Sequence, residues 1–490
     1  MDNYQFKKVL LIGIDGAPIE LIEKWRDKLP NIGKLMKLYG PLESIIPPLT
    51  PAAWTSMFTG TNPGRHNIFD FFKNNGYKKE IVNRLDLKEK TIWDYLDEKK
   101  LRSILLNVPY TYPVKPLNGI LVSGTPANIS FDDLTYPKPV KKILLSEVPN
   151  YKIGVDWQNI NNNDDEFLKD LYNVTEDLTN ASIMFMKEEW NFFAIVFEDL
   201  DRILHFHWRF MDKDHRFHKI DLKKTEKYEK SIEDYFRFLD FCIGKIVENV
   251  GKDTLVIIAS DHGFGPIEKQ VRINNYLEKW GFLKKSGKEK SNWMAKSIPF
   301  FYKLGFYKLF KSLPEGLKNV FRKRVVEEEK LPEIDWNETK AWFDSLSCQS
   351  IRINLKSREE LGIVKKSEYN KLLDSLINKL MGIKDNGKNV VRKVWKASEV
   401  YYGDYLKNAP DLILEMEEGY TAQKGFSSNN IEDSKEDRTF KSGDHKRQGF
   451  FAISGEGIGE NRINANIYDI APTVLKNFGI TPDLDGKSII

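Results

Sequence analysis

The sequence predicts an α/β protein with a mostly parallel central sheet flanked by helices and carrying inserted cap segments. Three apolar runs carry that expectation: Val9–Ile14, Phe192–Phe197 and Leu255–Ala259. Runs this short and this rich in β-branched and aromatic residues read as strands buried on both faces, the habit of a parallel sheet. Each ends in a carboxylate or a polar turn: Asp15-Gly16, Glu198-Asp199 and Ser260-Asp261-His262-Gly263. In open α/β sheets, ligand sites gather where the strands end, because loops there aim side chains into a crevice.

Bulk composition narrows the class. The chain has 490 residues, 41% of them apolar and 30% charged, which suits a soluble globular protein of two or three domains. Cys242 and Cys348 are the only cysteines, so a disulfide framework and a cysteine-based metal cluster are excluded. No run of about eighteen apolar residues occurs, and Val9–Ile14 is too short for a signal peptide or a span. A cytoplasmic location is expected.

Taken in order, Val9–Ile14 is the first strand, and Pro18 marks a helix start after it. Pro47 and Pro48 keep the chain extended up to Thr50, after which Pro51–Phe58 suits a helix with Thr50 as its N-cap. A threonine before a proline needs no function to explain it. A hydroxyl at a helix N-terminus nevertheless lies where backbone N–H groups and the helix dipole favour an anion. Ser103–Val108 and Gly119–Gly124 read as further strands within an elaboration spanning 73–190, and Asn161–Asp165 reads as a surface loop. After Phe197 come Glu198, Asp199, Asp201, His205 and His207. Asp201 and His205 are four apart and share one face of a helix, so they are preferred as a pair over Asp199 and His207. One long helix is expected over Leu222–Val250.

The stretch 284–324 holds twelve Lys/Arg against two Glu, a net +10 that leaves −6 for the rest of the chain, with seven Phe/Tyr interleaved. Such a stretch suits peripheral contact with an anionic membrane, or the solvated face of a cap. Strands are expected at Ser350–Asn354 and Asp411–Met416, a helix over Glu368–Met381, and an exposed loop over Ser427–Asp437. His445 lies in a glycine-flanked loop, and Ile467–Phe478 reads as a helix closed by Gly479. The expected division is a core of 1–283 and 441–490 with an inserted cap and substrate region at 284–440.

The donors so collected are Asp15, Thr50, Asp201, His205, Asp261, His262 and His445. Carboxylate oxygens mixed with imidazole nitrogens suit zinc, manganese or iron. Three of the seven histidines fall at strand edges or in a glycine loop beside carboxylates, a placement that favours a metal site over chance.

These motifs, in this order, resemble the type I phosphodiesterase/nucleotide pyrophosphatase branch of the alkaline phosphatase superfamily, and within it a predicted phosphohydrolase/phosphomutase group. The resemblance rests on Ile14-Asp15-Gly16, Thr50–Gly60 with Asn62–His66, Asp201–His205, Ser260–Gly263 and His445, and on Asp469–Thr473 and Asp485-Gly486 near the end. It implies an alkaline phosphatase-like core and two divalent metal ions, typically Zn2+, with Mn2+ or Fe2+ as alternatives. It also implies one metal on Asp15, Thr50, Asp261 and His262, the other on Asp201, His205 and His445, and Thr50 as covalent nucleophile. One departure stands out. Nucleotide pyrophosphatases carry an Asn about twenty residues after the nucleophile, where this chain has Asp70-Phe71-Phe72. Arg65 and Asn74 are the candidates to supply that phosphate contact.

The expected function is hydrolysis of a small phosphorylated substrate, a phosphodiester ahead of a monoester, with no nucleic-acid partner. A phosphomutase using the same nucleophile is the alternative within the enzyme class. From another class comes a membrane-surface or binding module with structural metals.

Overall fold

The computed structural model describes residues 6–125, 134–155, 163–286, 334–345, 347–436 and 441–490. Most of the basic stretch 284–324 lies outside the described residues, and with it the expectation of membrane contact. Among the described residues, no helix is long and apolar enough to cross a membrane.

The three apolar runs are the centre of a ten-stranded sheet. Lys8–Ile14 lies between Thr254–Ala259 and Phe192–Phe197, parallel to both, and Ser103–Val108 and Gly119–Ser123 continue the parallel set. Strands Gln448–Ser454 and Leu38–Glu43 extend one side in antiparallel fashion. Alternation along each central strand fills two cores. Leu10, Ile12, Ile14, Phe193, Ile195, Val256 and Ile258 face one, against the helices Asp164–Phe185, Asp199–Met211 and Ser231–Val247. Val9, Leu11, Ala194, Val196, Leu255 and Ile257 face the other, against the helices Thr50–Thr59, Ile92–Glu98 and Ile470–Asn477. Both faces are covered, which is why these strands read as unbroken apolar runs rather than as alternating ones.

Three local expectations are corrected. The helix expected over Leu222–Val250 is two helices, Leu222–Tyr228 and Ser231–Val247. Ser231 Oγ donates to the Tyr228 carbonyl at 2.7 Å, a side-chain bond of the kind that competes with the backbone ladder. Within the loop expected over Asn161–Asp165, Asn163 caps the 22-residue helix Asp164–Phe185 by accepting from Asp165 N–H at 3.0 Å; 161 and 162 lie outside the described residues. The loop expected over Ser427–Asp437 contains a strand, Ile431–Asp433, held in place by pairing with Gly263–Arg272.

A second, four-stranded antiparallel sheet is built from Ala341–Ser345, Ser350–Ile353, Leu412–Met416 and Val391–Lys396. The helix Lys366–Met381 buries Leu373, Leu376 and Leu380 in the apolar cluster of this layer. Gly263–Arg272 joins the two layers. Its first residues pair with Gly443–Lys446 beside the central sheet, and its later residues pair with Gly419–Gln423 and Ile431–Asp433.

Gly13 explains the single interruption in the first apolar run. A Cβ there would sit 2.5 Å from the Trp54 ring and 3.0 Å from Val196, so the strand admits no side chain where the indole crosses it. Gly13→Ala is therefore expected to cost about 1–3 kcal/mol by overpacking, read as a lower urea midpoint at unchanged m-value.

Candidate active site

The carboxyl ends of the central strands deliver the first donor group. Asp15 follows Lys8–Ile14, and Asp261 and His262 follow Thr254–Ala259, the neighbouring strand. Gly16, at φ 75°, turns its N–H to Asp261 Oδ1 at 3.1 Å. Ser260 Oγ accepts from Ala17 N–H at 2.8 Å and donates to the His262 carbonyl at 2.6 Å, locking the two strand ends together. The Trp54 indole N–H donates to Asp15 Oδ2 at 2.9 Å. The remaining oxygens, Asp15 Oδ1 and Asp261 Oδ2, are buried with no hydrogen-bond partner. Both face His262 Nε2, at 3.4 and 3.3 Å.

The second group forms beside it. The helix Asp199–Met211 carries Asp201 and His205 one turn apart, and the strand Gly443–Lys446 carries His445. His445 Nε2 lies 3.0 Å from Asp201 Oδ1 and 3.2 Å from His205 Nε2. The His262 and His445 rings stack at 3.7 Å between centroids, so the two groups share a wall. In each group the donor atoms lie within 4.8 Å of one another, close enough to hold one metal ion.

The histidines bear the marks of metal ligands. Nδ1 of His205, His262 and His445 lies 2.8, 3.1 and 3.0 Å from the carbonyls of Gly443, Gly263 and Pro48. A carbonyl only accepts, so Nδ1 carries the proton in all three; Nε2 of His205 and His262 then points its lone pair into the site, while Nε2 of His445 is turned to Asp201. Burial pushes His262 well below the ordinary histidine range and His205 to about 3, which leaves both rings neutral, as a metal requires. Burial also depresses His445, but its hydrogen bond to Asp201 and the charge of that carboxylate outweigh this and raise it. Asp15 and Asp261 are pushed well above the ordinary carboxylate range by burial, Asp15 further by the charge of Asp261. Two desolvated carboxylates with unpartnered oxygens, facing neutral imidazoles, form a cradle that a divalent cation fits.

Thr50 is the first residue of its helix, and Leu49, not Thr50, is the N-cap. The threonine hydroxyl makes no capping bond; Oγ1 instead lies 3.4 Å from His262 Nε2, facing the first donor group. Leu49 offers no side-chain cap, and its carbonyl accepts the first helical bond, from Ala53 N–H at 2.8 Å. The hydroxyl is thereby left to the site.

Arg65 and Asn74 are not brought to this centre. Arg65 pairs with Asp485 at 2.9 Å and Glu89 at 3.1 Å, clamping the C-terminal segment, and Asn74 donates to Asp344 at 3.0 Å from the hairpin Phe72–Asn75/Lys78–Ile81. Neither lines the cavity above Thr50. Asp70 is buried and Phe71 lines that cavity, so the place of the missing Asn presents an aromatic wall. His207 and Asp199 also lie outside both groups: His207 contacts Ser231 at 2.8 Å, and Asp199 faces Arg202 at 3.7 Å.

The cavity measures about 1270 Å³. Asp15, Thr50, Asp201, His205 and His445 line it from the central sheet, and Gln349, Leu414, Tyr420 and Gln423 line it from the second layer. Trp54 and Ser260, which position Asp15 and the two strand ends, escape a reading of the sequence. Trp54 sits among apolar helix residues, and only the close approach at Gly13 betrays that it crosses the first strand.

A family model for type I phosphodiesterase/nucleotide pyrophosphatase matches residues 9–446. The fold is similar to that of murine ectonucleotide pyrophosphatase/phosphodiesterase 5, with a TM-score of 0.53 at 12% identity over 98% of this chain and 97% of that one. No curated protein matches in sequence.

Because Trp54 fixes Asp15 by one hydrogen bond, Trp54→Phe is expected to weaken divalent-metal affinity about 10–100-fold with the fold retained, measured by calorimetry alongside circular dichroism. Metal binding must also displace protons from His445 and the raised carboxylates, so apparent affinity is expected to rise with pH in the same titration.

Proposed function

The chain belongs to the type I phosphodiesterase/nucleotide pyrophosphatase family, and from that premise we propose that it is a two-metal phosphodiesterase with Thr50 as covalent nucleophile. Family membership makes it a phosphoric ester hydrolase. The observation that carries the finer reading is the placement of the Thr50 hydroxyl, free of any capping bond, against a donor group whose carboxylate oxygens have no other partner.

On this reading Asp15, Asp261, His262 and Thr50 would hold one cation, and Asp201, His205 and His445 would hold the other. Zinc is the proposed metal, since mixed carboxylate and imidazole donors suit it. Such a pair lowers the pKa of a bound hydroxyl and offsets negative charge on the phosphoryl oxygens. The chain's own residues do the rest. The N-terminus of the ten-residue helix Thr50–Thr59 turns backbone N–H groups and its positive dipole end toward a phosphoryl anion. Thr50 Oγ attacks phosphorus, the bond to the leaving oxygen breaks, and a phosphothreonine forms. Water then attacks the same phosphorus, breaks its bond to Oγ and returns the hydroxyl. The Nδ1–H bonds to backbone carbonyls keep all three rings oriented throughout.

A cavity of about 1270 Å³ exceeds the usual small-ligand pocket and leaves room for a substituent on either side of the phosphoryl group, which supports a diester over a monoester. Phe71 in the place of the family's Asn supports an ester other than one that depends on that amide.

Thr50→Ala is expected to lower the turnover of bis-p-nitrophenyl phosphate by at least about a thousandfold at saturating metal, with metal content measured on the same sample. Turnover at the wild-type rate would remove Thr50 as nucleophile. In water labelled with oxygen-18, label in the released monoester means hydrolysis, and unlabelled product means transfer to a second hydroxyl, as in a mutase.

A further inference from the structure

The candidate metal groups occupy only part of the sheet's carboxyl edge. Register sets Ile14 opposite Phe197, so the next residues, Asp15 and Glu198, are lateral neighbours about 4.8 Å apart along the sheet. The parallel set continues through Ser103–Val108 to Gly119–Ser123, which leads to Thr125. Across the sheet the edge therefore carries Asp261, Asp15 and Glu198 on three successive strands, with Thr125 beyond the intervening strand Ser103–Val108. The last two are tied together: Thr125 Oγ1 lies 3.0 Å from each oxygen of Glu198, and its N–H lies 3.4 Å from one of them. Arg202, one turn along the helix, lies 3.3 Å from Glu198 and 3.7 Å from Asp199. Glu198, Thr125 and Arg202 all line the cavity that holds Thr50, yet none has a part in the nucleophile or in either donor group.

We infer that Glu198 and Thr125 form a specificity subsite that hydrogen-bonds a neutral, hydroxyl-bearing substituent, a polyol or a sugar, on the phosphoryl group held at Thr50. The inference rests on the phosphodiesterase reading and names the substrate class for it. Lone-pair accounting supports it. A carboxylate offers about four acceptor positions, and the Thr125 hydroxyl, the Thr125 N–H and Arg202 take up three. One acceptor position is left, and the Thr125 oxygen keeps its own lone pairs for a second hydroxyl. An anionic substituent would meet Glu198, Asp199 and Asp15 at close range. An ammonium would have to displace the Arg202 guanidinium, which already occupies the cation position 3.3 Å from Glu198 and 3.7 Å from Asp199. An alkyl group would cover a 4%-exposed carboxylate without satisfying it, and a site built around a hydroxyl discriminates strongly against analogues that lack one.

The test compares sn-glycerol 3-phosphate with n-propyl phosphate, which differ only by two hydroxyls, by calorimetry on the metal-loaded full chain. Wild type is expected to bind the glycerol ester at least about tenfold more tightly. Glu198→Ala is expected to bring that ratio to within about twofold of unity, and Thr125→Val to lower it. Circular dichroism reports folding, and where Glu198→Ala does not fold, the milder Thr125→Val decides. A wild-type ratio near one, a ratio unchanged in folded variants, a parallel loss of both affinities, or binding of neither compound would overturn the subsite. Turnover of bis-p-nitrophenyl phosphate by the same wild-type sample separates the two readings: hydrolysis with a ratio near one rejects the subsite alone, and a high ratio without hydrolysis rejects the phosphodiesterase reading alone.

Discussion

Two carboxylates buried side by side are the constraint on which the rest of this molecule turns. Asp15 and Asp261 are almost wholly excluded from solvent, and each leaves an oxygen without a hydrogen bond. Burying one such charge without a partner is expensive, and burying two within reach of one another is worse. The protein meets part of that cost with the Trp54 indole, the Gly16 N–H and the Ser260 bridge. Each of these comes at a structural cost of its own. Trp54 demands a glycine at position 13, and the Gly16 N–H demands a positive φ. What these devices leave unsatisfied is an acceptor-rich hollow, and neutral imidazole nitrogens complete it. A divalent cation is the natural counterpart.

The same logic explains what could be read from the chain and what could not. The strands were legible because burial on both faces leaves a composition with no alternative, as in Phe192–Phe197. Asp201 and His205 were legible because a helix repeats every 3.6 residues, and a spacing of four is therefore a spatial statement. Arg65 and Asn74 failed for the opposite reason. Their promise lay in proximity to Thr50 along the chain, but the four-residue helix Pro63–His66 turns Arg65 toward Asp485, and the Phe72–Ile81 hairpin turns Asn74 toward Asp344. Thr50 departs from its expectation in one respect: it begins the helix without capping it, so its hydroxyl faces His262.

The strand Gly263–Arg272 gives the site its second wall. It leaves the Asp261-His262 corner, pairs Phe264 with His445, and runs on into the second layer, where Val271 joins that layer's apolar cluster. One continuous strand thus sets the distance between the donor groups and the residues that roof the cavity. Thr421 of the second layer donates to Asp444 at 3.1 Å, next to His445, so the roof is also fastened at the donor loop. His445 in turn bonds the carbonyl of Pro48, two residues before Thr50. The Pro48–Thr50 segment, the donor loop and the roof are therefore linked by hydrogen bonds through His445 and its neighbour. A shift in any one of them would be felt at the other two.

Parallel strands have a further consequence for how such a site can diversify. Their carboxyl ends form a row in which each strand contributes one position at a fixed spacing of nearly 5 Å. Chemistry that needs closely spaced charges is confined to adjacent positions, here those of Asp261 and Asp15. Glu198, next to Asp15 in the row, and Thr125 beyond it are bonded to each other and to Arg202 rather than joined to that centre, and they line the same cavity. Reaction and recognition can then change independently, because they sit on different strands of one rigid edge. In this chain the Glu198–Thr125 end of the row is polar, compact and internally paired through Arg202.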